Sequence, residues 1–240
     1  MSGDVLSLRK LAPTRLSGCM TSASTVLDDP ARVPFWQRPF RLVGENRRAY
    51  LWLNIAAYGL VAVGFVVGFI FPELNTAQGD ALEHDGTGDT VRGLVGIPPL
   101  FALVIFGVNV WRLSFLTILL PSFVIPFAGL ATFGYWAVQT GITLAPVTAE
   151  KWVLFIPHSL TVLIELQAYV LLLLGVWLLG RAWLYPRTVG APSRRRGYLR
   201  GLQRIGVLAL PALVLLVIGA VWEAYSLRYL VHPLMQWILY

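Results

Sequence analysis

Residues 154–183 read LFIPHSLTVLIELQAYVLLLLGVWLLGRAW, and in this run only His158, Glu165 and Arg181 ionise near neutral pH. As a helix that rises about 1.5 Å per residue, the run would be about 45 Å long, against roughly 30 Å for the hydrocarbon core of a bilayer. Apolar stretches of this length are typical of membrane spans. We therefore predict a transmembrane helix here that is tilted, or kinked near Pro157.

The composition of the whole chain agrees with this interpretation. Of its 240 residues, 57% are hydrophobic and only 13% are charged, and the mean hydropathy is +0.68. Soluble domains are about 45–50% apolar and about 25% charged, and a soluble domain of this size cannot bury so much apolar surface. The single cysteine argues against a disulfide framework and a cysteine zinc site. Despite a net charge of +7, we expect no nucleic-acid partner.

Three more apolar runs, which hold four spans, extend the pattern, and the fold class they predict is an all-α, polytopic transmembrane helical bundle of about five spans. The first span covers residues 50–71, and residues 93–138 hold two spans joined by a tight inner turn. The last span covers residues 205–226, and an amphipathic tail follows it. Gly129 and Gly134 in the third span offer close helix packing. The predicted domains are a partly disordered segment with an interfacial stretch (1–49), a transmembrane domain (50–232) and an aromatic surface tail (233–240).

Arginine placement predicts the orientation. The 19 basic residues are arginines except for Lys10 and Lys151, and they concentrate before the first span and in residues 181–204. Residues 73–92 are mainly acidic by contrast and are expected to form a flexible loop. Because basic residues near membrane ends favour the cytoplasmic side, we predict a plasma-membrane protein with its N-terminus inside and its C-terminus outside.

Two groups of polar residues are candidates for partner docking. Arg194, Arg195 and Arg196 form a run between two spans, where contact with anionic lipid headgroups is the simpler interpretation and a cytoplasmic partner is the alternative. Asn109 and Arg112 are expected at the inner end of the second span. They are interpreted first as a turn cap and a headgroup contact, and second as a docking site.

Three ionisable residues within spans form the candidate ligand or ion site. His158 and Glu165 are seven residues apart and share one helix face, and Glu223 lies near the outer end of the last span. An antiparallel helix pair would bring all three together. Such a cluster could bind a cation, shuttle protons, grip a peptide or hold a catalytic zinc. It could equally be a structural hydrogen-bond network in which Glu165 pairs with Gln167, Tyr169 or Tyr225.

Other chemistry is missing from the sequence. It has no phosphate-binding glycine loop, and the His-Glu-x-x-His pattern of helical metalloproteases does not occur. We therefore expect no cofactor, no resident metal and no catalytic residue.

The second half of the chain resembles the stage II sporulation protein M family of bacterial membrane proteins. The residues that carry the likeness are Ile156-Pro157-His158-Ser159, Glu165-Leu166 and Gly219-Ala220-Val221-Trp222-Glu223-Ala224. Asn109 is similar to an asparagine in the family's second span. The family usually has a glutamate four residues after the histidine, where this chain has Val162, and it favours glycine at the position of Ser159.

The resemblance implies a non-enzymatic integral membrane component. The member that gives the family its name belongs to a complex with peptidoglycan-degrading proteins, and other members look like accessory proteins of ATP-driven transporters for peptide export and immunity. We therefore predict a scaffold or transport-associated subunit whose partners are membrane lipids, other subunits of the complex and an ATP-binding transporter subunit. A homo-oligomer is compatible with this role. The alternatives are a scaffold for cell-wall remodelling, an intramembrane metal-dependent hydrolase and a self-sufficient channel or carrier.

Overall fold

A computed structural model describes residues 34–239 of the chain, and this part contains helices and no strand. A 3-10 turn at Phe35–Gln37 precedes the first α-helix. The elements are α1 (Arg38–Glu45), α2 (Arg47–Ile70), α3 (Pro72–His84), α4 (Thr87–Leu94), α5 (Pro98–Val108), a π-helix (Asn109–Leu119), α6 (Leu120–Val124), α7 (Ala128–Leu144), α8 (Ala149–Leu184), α9 (Arg194–Tyr229) and α10 (Val231–Leu239). A second 3-10 turn, Pro186–Val189, lies between α8 and α9.

Four of the described helices are long and apolar enough to cross a membrane: Arg47–Ile70, Pro98–Val124, Ala149–Leu184 and Arg194–Tyr229. The chain is therefore a multi-pass membrane protein, and the predicted all-α transmembrane bundle is confirmed. The predicted third span corresponds to α7. With 17 residues, α7 is only about 26 Å long, somewhat less than the hydrocarbon core of an average bilayer.

The longest helices, α8 and α9, form an antiparallel pair at the centre of the bundle. In α8, residues 168–176 are buried without interruption, as a helix that is apolar on every side requires. Glycines let the two backbones approach each other closely: a Cβ added at Gly197 would lie 2.2 Å from the carbonyl oxygen of Ala182, and one at Gly201 would lie 2.8 Å from the Cα of Leu179. The helix predicted over 154–183 lies within α8, which begins before Pro157 and continues past it.

Helices α2 and α7 pack side by side through glycines. A Cβ at Gly64 would meet the carbonyl oxygen of Val138 at 2.1 Å. The prediction of close packing is confirmed at Gly129, where a Cβ would lie 1.9 Å from the carbonyl oxygen of Ile118. It is wrong at Gly134, because the nearest atom to a Cβ there belongs to a Leu60 methyl group, 3.4 Å away.

The turn between the second and third predicted spans, within residues 93–138, lies much later in the chain than predicted. The helix continues past Asn109 and Arg112 as a π-helix, and the chain turns only after Val124. Proline disfavours the α conformation for the residue before it, and Ile125 before Pro126 is extended, with φ −126° and ψ 123°. Phe127 then adopts a left-handed φ of 66° and leads into α7. Asn109 and Arg112 therefore lie within the rod Pro98–Val124 and not at its end.

The acidic segment predicted to be a flexible loop is a helical hairpin, which we define as Pro72–Leu94. Its two helices, α3 and α4, are joined at Asp85-Gly86, where Gly86 has a φ of 80° that favours glycine. Arg92 on α4 donates to both carboxylate oxygens of Glu83 on α3, at 3.1 and 2.7 Å. Apolar residues of α4 pack on α5 and α9. The sequence did not indicate these two helices, because charged, polar and apolar residues alternate in both of them.

Both ends of the described chain carry aromatic side chains. The exposed fractions of Phe35, Trp36 and Phe40 are 55%, 70% and 76%, which suits the interfacial stretch predicted before the first span. The predicted surface tail is the helix α10, which contacts α8 and α9. What was predicted for residues 1–33 lies outside the described residues.

Candidate functional site

His158 and Glu223 meet across the central helix pair. His158 Nδ1 lies 3.4 Å from Glu223 Oε1, and the two side chains are 31% and 17% exposed. The antiparallel course of α8 and α9 sets this contact, and the indole of Trp222 strengthens it by donating to the carbonyl oxygen of Pro157 at 3.0 Å. This hydrogen bond lies one residue before His158 and one before Glu223, and it helps to fix the height of His158 against Glu223.

Glu165 lies two turns further along the same face of α8. Its Oε1 accepts a hydrogen bond from Asn109 Nδ2 at 2.5 Å, and its Oε2 accepts a long one from the Tyr169 hydroxyl at 3.4 Å. Gly219 on α9 leaves room for the carboxylate, because a Cβ there would lie 3.1 Å from Glu165 Cγ. The structure therefore brings the three predicted residues into one region, and of the partners predicted for Glu165 only Tyr169 is used.

Gln167 belongs to a separate polar cluster between α2 and α8. It accepts from the Tyr50 hydroxyl and donates to Asn54 Oδ1 and to the Tyr58 hydroxyl, each at 2.8 Å. Every polar atom of the Gln167 side chain is thus satisfied by α2. The cluster holds two helices together, and it does not contact Glu165.

The π-helix explains how Asn109 reaches Glu165. In this segment the hydroxyls of Ser114 and Thr117 bond the carbonyl oxygens of Asn109 and Arg112, five residues earlier, both at 2.9 Å. The wider turn directs the Asn109 side chain toward α8. Sequence reasoning placed Asn109 at a helix end, and its contact with Glu165 corrects that placement. π-Helical turns concentrate at functional sites.

Arg112, one turn after Asn109, faces the tip of the hairpin. Its guanidinium lies 3.9 Å from Asp85 Oδ2. The hairpin is not part of the four spanning helices. The hydrogen bond that Asp85 accepts from Thr87 lowers the pKa of Asp85, and the hydrogen bond that Glu83 accepts from Arg92 lowers the pKa of Glu83. The Arg112 side chain is 71% exposed and lies beside the charged tip of the hairpin.

Several of these residues, among them Asn109, Arg112, His158, Glu165 and Glu223, line one cavity of about 610 Å³. Helices α8 and α9 contribute an acidic wall, with His158, Glu165 and Glu223. The α5 helix contributes apolar side chains, and α7 and the hairpin contribute amides and hydroxyls. Volumes of this size are typical of sites for small organic ligands. The cavity is the candidate functional site because it gathers the ionisable residues of an otherwise apolar bundle.

A buried asparagine that sequence reasoning missed anchors the hairpin. The Asn75 side chain is fully buried, and its amide donates to the carbonyl oxygens of Ile142, Thr143 and Ala145 at 2.7, 3.2 and 3.0 Å. Lys151 donates to its Oδ1. The C-terminal carbonyls of a helix lack partners within that helix, so Asn75 satisfies the end of α7. No local pattern around Asn75 indicated this, because its partners lie 67 to 76 residues away.

The other docking candidates, Arg194, Arg195 and Arg196, do not reach the cavity. They occupy the first turn of α9, are exposed, and follow Ser193, whose hydroxyl accepts from the Arg196 backbone N–H at 3.4 Å. Cations at a helix N-terminus oppose the helix dipole. The three arginines therefore do not stabilise α9 through its dipole.

The acidic and histidine side chains of the site do not gather as a metal site would. Among residues 34–239, no three His, Cys, Asp or Glu side chains lie close enough together to hold a metal ion. His158 and Glu223 form a pair, and Glu165 is occupied by Asn109 and Tyr169.

Comparison with protein-family models, with curated proteins and with solved structures finds no match to this chain.

Proposed function

We propose that this chain is a non-enzymatic, integral membrane component of a transport complex and that it binds a cationic ligand in its cavity. The observation that carries this proposal is the presence of two carboxylates, Glu165 and Glu223, on the wall of a cavity inside an apolar bundle. Ionisable groups at such positions are costly, so they are expected to serve binding or conduction. One imidazole, His158, balances at most one of the two charges.

Binding accounts for the hydrogen bonds around Glu165 better than catalysis does. The amide of Asn109 and the hydroxyl of Tyr169 both donate to this side chain and fix its orientation. A hydrolase would need a metal ligand set or an activated nucleophile. The donor set gives no support to the metal alternative among the described residues.

The role as a subunit rests on two further points. The resemblance to the stage II sporulation protein M family implies an accessory protein, and in some members one that works with an ATP-driven transporter. The exposed arginines at the start of α9 supply a basic surface where an ATP-binding partner could dock. Energy for transport would then come from that partner, since this sequence has no phosphate-binding loop.

Native purification from the source membrane, followed by mass spectrometry of bound proteins, tests the subunit role. We expect an ATP-binding protein in stoichiometric amount. Replacing Arg194, Arg195 and Arg196 together by alanine should release it, whereas Arg228→Ala, an exposed arginine near the other end of α9, should not. A chain that purifies alone would contradict the proposal. Cell-wall hydrolases in place of an ATPase would support the alternative of a sporulation-type scaffold.

A further inference from the structure

We infer that the ligand of the cavity is a primary or secondary ammonium group carried on an apolar body. This inference rests on the proposed cation-binding function and names its substrate class. Three properties of the cavity lead to it: the excess of acidic over basic side chains in its lining, its size relative to its donor set, and the apolar side chains that line it together with the carboxylates.

The lining holds more acidic than basic side chains. Its ionisable side chains, other than Tyr169, are Asp85, Arg112, His158, Glu165 and Glu223. Arg112 and Asp85 lie 3.9 Å apart and form a pair of opposite charge. Two glutamates then face one imidazole, so a cavity in which both are ionised has a charge of −1 with His158 protonated and −2 with it neutral, and a bound cation favours the ionised form of each glutamate. A group of positive charge restores neutrality, and the low dielectric of the bundle interior strengthens that attraction.

The cavity is too large and too poor in ligands for a bare ion. Its volume of about 610 Å³ falls within the range for organic ligands of about 300–1,000 Å³. Calcium takes six to eight oxygens and zinc takes about four donors. No cluster of three acidic, histidine or cysteine side chains lies among residues 34–239 to start such a shell. A charged group that needs two or three hydrogen-bond acceptors suits the site better.

Ammonium groups match the acceptors that remain. A primary ammonium has three N–H donors, and each carboxylate oxygen has two acceptor positions. Asn109 uses one position on Glu165 Oε1, and Tyr169 uses one on Oε2. One position therefore stays open on each of these oxygens, and Glu223 shares only Oε1 with His158. The ammonium would donate to the open positions of these carboxylates.

Apolar side chains in the lining provide for the rest of the ligand. Val104, Ile105 and Val108 of α5 line the same cavity as the carboxylates. A small hydrated cation would leave these side chains in contact with water, whereas an alkyl or aromatic body would cover them. The amides and hydroxyls of α7, among them Gln139 and Thr143, also line the cavity and can accept a further polar group of the ligand.

The test uses the purified full-length chain in detergent and isothermal titration calorimetry at neutral pH. The probes are hexylammonium chloride, 1-hexanol as the neutral compound of equal length, and sodium, calcium and zinc chlorides. We expect one hexylammonium per chain, at least tenfold tighter binding than hexanol, and no displacement by the metal salts. Glu165→Gln and Glu223→Gln should each weaken hexylammonium binding at least tenfold. Glu150→Gln, an exposed acid in the first turn of the same helix, should leave it unchanged.

The outcomes separate this inference from the proposed function. If a metal ion binds at the glutamates and hexylammonium does not, the ligand class is wrong and the cation-binding function stands. If hexanol binds as tightly as hexylammonium, the cavity is an apolar site and both ideas fail, as they do if no cation binds. The comparison of hexylammonium with hexanol needs only the unmodified chain, so a variant that does not fold leaves the test intact.

Discussion

The anchor of the hairpin gives the sharpest prediction, namely that Asn75→Ala loosens α3 from α7. The substitution removes both amide donors from three carbonyl oxygens and removes the acceptor of Lys151. A buried polar group left without its partner costs about 1–3 kcal/mol. Since water can reach some of the freed groups once the hairpin loosens, we expect a total loss of about 3 kcal/mol of unfolding free energy.

Thermal unfolding in detergent, followed by far-ultraviolet circular dichroism, measures this loss. For a chain of 150–250 residues, 1 kcal/mol corresponds to about 2–4 °C in Tm, so the expected drop is roughly 6–12 °C. Thr76→Ala is the matched control, because Thr76 is the exposed neighbour and bonds only the carbonyl oxygen of Pro72 in its own helix. Its Tm should stay within about 2 °C of the unmodified chain.

A second variant separates hydrogen bonding from packing. Asn75→Leu fills a similar volume and supplies no donor, so it should be as destabilising as Asn75→Ala. Tm values for both variants equal to that of Thr76→Ala would refute the reasoning, because Asn75 would then contribute nothing through its hydrogen bonds. A normal Tm for Asn75→Leu alone would show that volume at this position is what matters.

Three further predictions concern other parts of the bundle. Gly64→Ala should lower Tm by several degrees, because its Cβ would meet the carbonyl oxygen of Val138 at 2.1 Å, whereas Gly59→Ala on the same helix meets nothing within 4 Å and should leave Tm unchanged or slightly raised. Gln167→Leu should lower the unfolding free energy by about 2 kcal/mol in the same thermal assay, since it removes three interhelical hydrogen bonds worth about 0.6 kcal/mol each on average. In the hairpin, the pKa values of Glu83 and Asp85 are lowered, so the ion pair and hydrogen bonds stabilise it above a pH of about 4 and are lost as the pH falls below that. Amide hydrogen exchange over residues 83–94, corrected for the intrinsic rate, should be faster in Arg92→Gln than in the unmodified chain at pH 7. The two should become equal below a pH of about 3, and a difference that persists there would contradict the assignment.

Much of the fold follows from composition because the bilayer imposes it. Long apolar runs must become helices in lipid, since no water is present to satisfy the backbone. The contact between His158 and Glu223 was also accessible from the sequence. Two ionisable residues, each in one of two consecutive spans, come together once the spans pair antiparallel, and residue spacing sets their heights.

The rest depends on contacts that no local pattern encodes. The hairpin has helices with mixed composition, and its stability comes from Asn75 and its partners in α7 and α8. The contact from Asn109 to Glu165 requires a π-helix, whose hydrogen bonds differ from those of an α-helix by a single residue. Periodicity reasoning assumes 3.6 residues per turn, so it placed a helix end where the chain in fact widens and continues.

The π-helix has a consequence for changes in the length of the chain. Deleting one residue from an α-helix rotates everything beyond it by about 100°, which would take His158 away from Glu223 if it occurred in α8. A π-helix has about one more residue per turn than an α-helix, so it can lose one residue and return to α geometry with less disturbance on either side. We expect residues 110–118 to be the place within the spans where the gene can lose a codon and still encode a folded bundle. The same deletion in α8, between His158 and the turn to α9, would separate His158 from Glu223.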